Sequence, residues 1–325
     1  MVRGRYAPSP TGPIHLGNAR TALAAWLSAR AKGGAFIWRL EDLDPPRVVP
    51  GMAEAAQHDL AWLGLDWDEG PERGGPHTPY VQSDRSAWYE AALTRLADAG
   101  RLFPCSYSRK DLHALASAPH GRSGLPPYPA ELRPKTLAPG WLADYRAQAH
   151  AEAALRFVVR DEVTMFRDGV QGEQRENVAE AVGDVVLKRR DGLYAYQLAV
   201  VVDDVAMGVT EVVRGADLLA STARQIQLIE ALGGAVPQFA HVPLVRNADG
   251  EKLSKRDGAL ALAALRERGI DPEQVVGYLA YTLGLLPEPR AMHPRHLISG
   301  FDFAAVSAED WVLSSNVATA LAEVD

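Results

Sequence analysis

The chain has 325 residues, of which 47% are hydrophobic and 23% charged, with a formal net charge of −7. That length supports a full core and two or three substructures, and the balance is that of a soluble globular protein. A single cysteine, Cys105, excludes an intramolecular disulfide, and the acidic excess argues against a generic nucleic-acid coat while leaving room for a local basic patch.

The stretch from Arg5 to Asp44 reads as one strand–helix–strand unit. A short extended run, Arg5 to Ala7, enters a Pro/Gly loop from Pro8 to Asn18, and an Ala/Leu-rich helix follows, closing at Gly33-Gly34. An apolar strand, Ala35 to Leu40, then ends in Glu41-Asp42-Leu43-Asp44. Right-handed units of this kind set their loops at the carboxyl edge of a parallel sheet, where ligands bind. The helix N-terminus offers unpaired N–H groups and a positive dipole end suited to a phosphate. Gly12 and Gly17 permit close backbone approach, and His15 adds a donor.

Pro45-Pro46 breaks the regular structure, and a helix from about Gly51 carries Met52, Ala56, Leu60 and Leu63 on one face. Three prolines and three glycines make 66–82 a loop. A second amphipathic helix, 84–99, is expected to bury Trp88, Ala92 and Leu96 and to stop at Gly100. From Arg101 to about Asp184 the texture changes. Prolines interrupt the first half, and short alternating runs such as 153–160 predict antiparallel strands in the second. This reads as an insertion between two halves of a nucleotide-binding fold.

Residues 184–196 predict a hairpin about Asp191-Gly192. The run 198–208 fits strand or helix by periodicity alone. A β-branched strand follows at 209–214, a helix at 220–232 and a strand at 239–245, leading to a loop with Lys252 and Lys255. Asp271-Pro272-Glu273-Gln274 starts a helix that runs to about Leu286, and a last short helix is expected near 304–311. No apolar run of about 18 residues and no signal-peptide pattern occurs, so the cytoplasm is the expected compartment and no membrane partner is expected.

Arg5 to Asn18, RYAPSPTGPIHLGN, resembles the first signature of class I aminoacyl-tRNA synthetases in its glutamyl form. Trp67 to Pro71, Tyr194 to Asp204 and Val213 to Asp217 resemble further glutamyl-family elements, and Lys252-Leu253-Ser254-Lys255-Arg256 is similar to the second signature. The pieces stand in family order from Arg5 to Asp257. The resemblance implies an α/β fold: a Rossmann-type parallel sheet with an inserted subdomain that contacts tRNA and a short helical C-terminal region. The expected division is 1–100 and 185–257 for the halves of the catalytic domain, 101–184 for the insertion and 258–325 for the C-terminal region.

Activation of an amino acid requires ATP to be held for in-line attack at its α-phosphate, with charge building on pyrophosphate. His15 and the helix start, with Gly12, Gly17 and Asn18, are expected on one side of the triphosphate, and Lys255, assisted by Lys252, on the other; Mg²⁺ is expected with ATP. An acidic substrate calls for arginine, whose planar fork matches a carboxylate. Arg5 and Arg214 end strands that can share one cleft, Glu41 is the natural partner for the substrate ammonium, and Tyr196 and Ser9 can hydrogen-bond nearby. The family pattern extends the glutamate site over Arg5, Tyr6, Ala7, Pro8 and Ser9. The competing reading pairs Arg5 with Glu41 at a strand end.

Some relatives hold a structural zinc where this chain has Cys105. Here Tyr107 stands at the second Cys position, Tyr128 to Leu132 lacks the last Cys, and His113 and His120 have no metal spacing, so structural zinc is not expected. Sixty-nine residues follow Arg256, too few for the anticodon-reading module of the full-length glutamyl enzymes. Asp44-Pro45-Pro46-Arg47 is likewise closer to the branch of the family without that module. That resemblance implies transfer of glutamate to queuosine at the wobble position of tRNA(Asp), with the anticodon stem–loop as partner and a monomer expected. The alternatives are a truncated enzyme charging the end of tRNA(Glu), and a non-catalytic amino-acid- or tRNA-binding paralogue.

Overall fold

The structure is a computed structural model that describes residues 1–108, 110–112, 126–147, 153–251, 253, 260–313 and 317–324. Strand β1 (Arg3–Tyr6) pairs in parallel with β2 (Ala35–Trp38), and helix α1 (Leu16–Ala31) crosses between them. The helix is capped by His15 and stops at Gly33, whose φ of +60° suits the left-handed turn after a helix end. Its small residues let it bury on several sides: Ala22, Leu23, Ala24 and Leu27 are fully enclosed. Gly4 is the point of closest approach between strand and helix, since a Cβ there would lie 3.2 Å from the Ala29 side chain.

On the other flank of β1, Thr210 N–H donates to the Arg3 carbonyl at 3.0 Å and leads into β8 (Glu211–Gly215). Strand β8 pairs in parallel with β9 (Gln238–Val242). The parallel strands therefore run β2-β1 and β8-β9 side by side, with Arg5 and Arg214 both near carboxyl ends. The stretch that fitted either period is a helix, Tyr196–Ala206, with Asp203 and Asp204 buried on its inner face.

Strands β3 (Leu102–Cys105), β4 (Ala154–Phe157) and β7 (Val185–Lys188) form a separate antiparallel sheet. Between them in sequence, the hairpin of β5 (Val163–Asp168) and β6 (Gly172–Asn177) leaves that sheet and joins β9 through an Asp168–Phe239 pairing. Sheet membership therefore crosses residue 184 in both directions. A turn closes at Asp191-Gly192, where Gly192 has φ +85° and Arg189 N–H donates to the Leu193 carbonyl at 2.8 Å.

Two local expectations are corrected. In the helix Ser86–Asp98 the buried residues are Tyr89, Ala92, Leu93 and Leu96, while Trp88 is 41% exposed. The ring is one position off the buried stripe and stacks instead beneath the Arg85 guanidinium, 4.8 Å from its centroid. Near the C-terminal end, 304–311 is not a helix. A single tight turn, Phe303–Ala305, is followed by strand Trp311–Val312, which pairs in parallel with Val245–Arg246. The Asp310 carboxylate accepts from Leu244 N–H and the Arg246 guanidinium, both at 2.7 Å, which ties this segment to an extended neighbour. The helix Pro272–Thr282 does carry its capping box, Asp271 with Gln274.

Candidate active site

Chain periodicity alternates side chains along a strand, so Arg39 and Glu41 share a side just past β2 and turn toward the inner face of the 196–206 helix. Arg39 is fully buried, and donates to Glu41 Oε1 at 2.9 Å and to Asp204 Oδ1 at 2.7 Å. Arg5 Nε reaches Asp204 at 3.3 Å, and its Nη1 donates to the Val213 carbonyl at 3.2 Å. Asp203 is held by Arg85 at 2.6 Å, Gln82 at 2.7 Å and the Tyr89 hydroxyl at 3.0 Å. Arg5 therefore does not bridge to Glu41. Asp204 takes both Arg5 and Arg39, and Arg39 also takes Glu41.

Burial pushes the Glu41 carboxyl up, and Arg39 and Arg5 only partly offset this. Burial also acts on Asp204, but the two arginines outweigh it and hold this carboxyl below its ordinary value. Glu41 is thus the acid of the pair that still gains from a further cation.

Arg214, 5% exposed, has a different environment. Its Nε donates to His241 Nε2 at 2.9 Å, Nη1 to Gln225 Oε1 at 2.7 Å and Nη2 to Thr222 Oγ1 at 3.0 Å. The Tyr196 hydroxyl lies alongside. Among the described residues no Asp or Glu makes an ion pair with it. Burial lowers its pKa and the adjacent Arg5 lowers it further, with Tyr196 and the Asp204 carboxylate offsetting this only in part. Two guanidinium groups close together and only partly neutralised have donors suited to a carboxylate.

His15 caps α1: its Nδ1 accepts from Gly17 N–H at 3.1 Å and Asn18 N–H at 3.4 Å, which assigns the ring proton to Nε2. Gly17 lacks a side chain where the imidazole lies, since a Cβ would meet the ring at 3.1 Å. Two of the helix's free N–H groups are thus taken by His15. Lys252 and Lys255 lie outside the described residues.

Of the other expected residues, Tyr6 is buried with its ring 5.9 Å from Trp38, so its side chain belongs to the core. Its carbonyl and that of Pro8 accept from Arg39 and Glu41 N–H at 3.1 and 3.0 Å, which extends the β1–β2 register through Ala7 to the loop. Ser9, Glu41 and Tyr196 line a cleft of about 1140 Å³, whereas Arg5 and Arg214 are buried and do not line it; the charges of both act on the Tyr196 hydroxyl. Toward the β3-β4-β7 sheet its lining carries Arg47, Arg156, Arg189, Arg190 and Arg224 interleaved with Asp44, Asp184 and Asp191, with Arg47 and Arg189 ion-paired to these acids and Tyr107 exposed on the wall. The cleft thus carries five arginines beside four carboxylates, Glu41, Asp44, Asp184 and Asp191.

At the far end Cys105 is buried against Phe103 and Tyr128, its thiol 3.7 Å from the Tyr128 hydroxyl, which donates to the Leu132 carbonyl at 3.2 Å. Among the described residues no group of three or more His, Cys, Asp and Glu is arranged to hold a metal ion. His113 and His120 lie outside them.

Residues 1–305 match the model of the class I tRNA synthetases for E and Q, catalytic domain. The chain belongs to this family. It is 52% identical over 313 residues to the glutamyl-Q tRNA(Asp) synthetase of Symbiobacterium thermophilum, covering 95% of each chain. With the enzyme of that name from Nitratidesulfovibrio vulgaris it shares 48% over 293 residues, 90% of each. Among solved structures it superposes on a glutamate tRNA ligase from Elizabethkingia meningosepticum in complex with its amino acid. The TM-score is 0.84 at 31% identity, over 98% of this chain and 68% of that one.

Sequence reasoning missed Arg39, the Asp203/Asp204 pair as its counter-charge, and His241 with Asp168. The signal for the first was present: Arg39 and Glu41 are two residues apart at a strand end, and adjacent aspartates in an apolar helix need buried partners.

Proposed function

We propose that this protein activates glutamate with ATP and transfers it to queuosine at the wobble position of tRNA(Asp). The observation that carries the first half is Arg214, a buried guanidinium whose hydrogen-bond partners are neutral, beside Arg5, with Arg214, Arg5 and Glu41 all acting on Tyr196. The γ-carboxylate of glutamate would pair with Arg214 and Arg5, and its ammonium with Glu41. The hydroxyls of Tyr196 and Ser9 would complete the pocket. A neutral glutamine amide would leave a buried guanidinium unpaired, which disfavours it.

An α-carboxylate oxygen then attacks the α-phosphorus of ATP as the bond to pyrophosphate breaks, giving glutamyl-adenylate. His15 and the α1 start with Gly12, Gly17 and Asn18 would face the phosphates. Lys255, with Lys252, would supply charge to the departing pyrophosphate, and Mg²⁺ would arrive with ATP. In the second step a cyclopentenediol hydroxyl attacks the activated acyl carbon and AMP leaves. The arginine-walled cleft supports this step, because it runs without interruption from the glutamate end and combines cations for phosphates with Tyr107 for a base. On this reading the protein works in the cytoplasm, as a monomer. The test of the first step is glutamate-dependent ATP–pyrophosphate exchange without tRNA. Exchange with glutamate but not glutamine supports it, and no exchange in the absence of RNA refutes it.

A further inference from the structure

Behind Arg214 lies a second buried pair that the reaction itself does not touch. Asp168 ends β5 and His241 lies in β9, and both are fully or nearly fully enclosed, at 2% and 0% exposure. Asp168 Oδ2 lies 2.6 Å from His241 Nδ1. Its other oxygen, Oδ1, accepts three backbone N–H bonds, from Val170 at 3.0 Å, Gln171 at 2.9 Å and His241 at 3.0 Å. Across the imidazole, Nε2 faces the Arg214 Nε–H at 2.9 Å and the Thr222 hydroxyl at 3.2 Å.

The proton positions follow from the partners. A guanidinium N–H can only donate, so His241 Nε2 must accept, and the ring proton sits on Nδ1, donated to Asp168. Burial keeps this imidazole neutral despite Asp168, with Arg214 opposing its protonation. Arg5 does the same from β1, and Asp168 is the acid that faces the ring. We propose that Asp168 and His241 are positioning residues for Arg214: the carboxylate selects the tautomer whose Nε2 holds the guanidinium in plane, so that its remaining donors meet the substrate's side-chain carboxylate. The inference rests on the reading of Arg214 as a glutamate ligand. The pair comes from a hairpin inserted between β4 and β7 and from a catalytic strand, so the inserted segment helps set amino-acid specificity.

Asp168→Asn is a near-isosteric test with an inverted polarity. The three N–H donors fix the new amide oxygen in place of Oδ1, so its NH₂ must face His241 Nδ1. The ring proton is forced to Nε2, where Thr222 can accept it but the Arg214 Nε–H loses its acceptor. Expected are a His241 ¹⁵N spectrum switched from the Nδ1–H to the Nε2–H form and a glutamate KM in exchange raised roughly 10–100-fold. The ATP KM and the melting temperature should stay close to wild type. His241→Gln, which can donate to Asp168 and accept from Arg214, should remain within a few fold of wild type, whereas His241→Phe should behave like Asp168→Asn. A switched tautomer with an unchanged glutamate KM, while Arg214→Gln raises that KM, overturns the positioning role alone. If Arg214→Gln also leaves it unchanged, the glutamate pocket itself is wrongly drawn and the inference falls with it. Should Asp168→Asn not fold, equal glutamate KM values for His241→Gln and His241→Phe overturn it.

Discussion

Replacing Arg214 by glutamine separates binding from stability in opposite directions. In the free protein the guanidinium is 5% exposed, and its side-chain acceptors are all neutral: an imidazole, an amide and a hydroxyl. A buried cation that Tyr196 and Asp204 compensate only in part is costly, so its removal should hold or raise the melting temperature. In the complex the same group faces a carboxylate, and truncating one side of a buried charged pair costs about 2–5 kcal/mol. Arg5 remains nearby and shares the carboxylate, so the lower end applies, about 2–3 kcal/mol, or roughly 30–150-fold in glutamate KM. The assay is tRNA-free ATP–pyrophosphate exchange with glutamate varied, beside thermal unfolding of the ligand-free variant. A glutamate KM within twofold of wild type would refute the pocket. So would a large fall in melting temperature with glutamate and ATP kinetics impaired alike, since Arg214 would then be holding the fold.

Glu41 gives a pH prediction. Folding raises its pKa, so ionised Glu41 disfavours the free fold. Its stability contribution is present below the unfolded carboxylate pKa and is lost as pH rises through the higher folded value. Glutamate binding needs the carboxylate and should strengthen over that same rise. Glu41→Gln should abolish both trends, as read by pH-dependent melting and glutamate KM, and persistence of the acid-side KM rise would assign it elsewhere. Lys255→Ala should depress kcat for adenylate formation about 100-fold or more while glutamate binding by calorimetry changes little; equal losses in both would give the loop a structural role. Arg190→Ala should weaken transfer to tRNA(Asp) and reduce the salt slope of RNA binding by about one unit, leaving exchange unaffected. An unchanged slope would remove Arg190 from the RNA path.

The first strand–helix–strand unit was legible because its Pro/Gly punctuation and apolar runs match the secondary-structure periods, and Arg5 and Glu41 then fall at strand ends by counting. Arg214 was legible for the same reason. Which charges pair was not. Arg5 and Glu41 are near each other, yet each has a different partner, because Arg39 and Asp204 occupy the space between them. Those contacts join residues 165 and 199 apart, and only the docking of the 196–206 helix decides them. Asp168 and His241 were further from reach. Their bond depends on a hairpin leaving the sheet of its sequence neighbours to pair with β9, which no local pattern in 153–184 announces. Asp310 likewise overrode the helical pattern of 304–311 through contacts with Leu244 and Arg246.

The central claim is tested most directly by offering labelled glutamate and ATP to tRNA(Asp) with queuosine, tRNA(Asp) without it, and tRNA(Glu). Label confined to the first RNA, and located in its anticodon loop, is the result predicted. Label on queuosine-free tRNA(Asp), or at the 3′ end of tRNA(Glu), would contradict it.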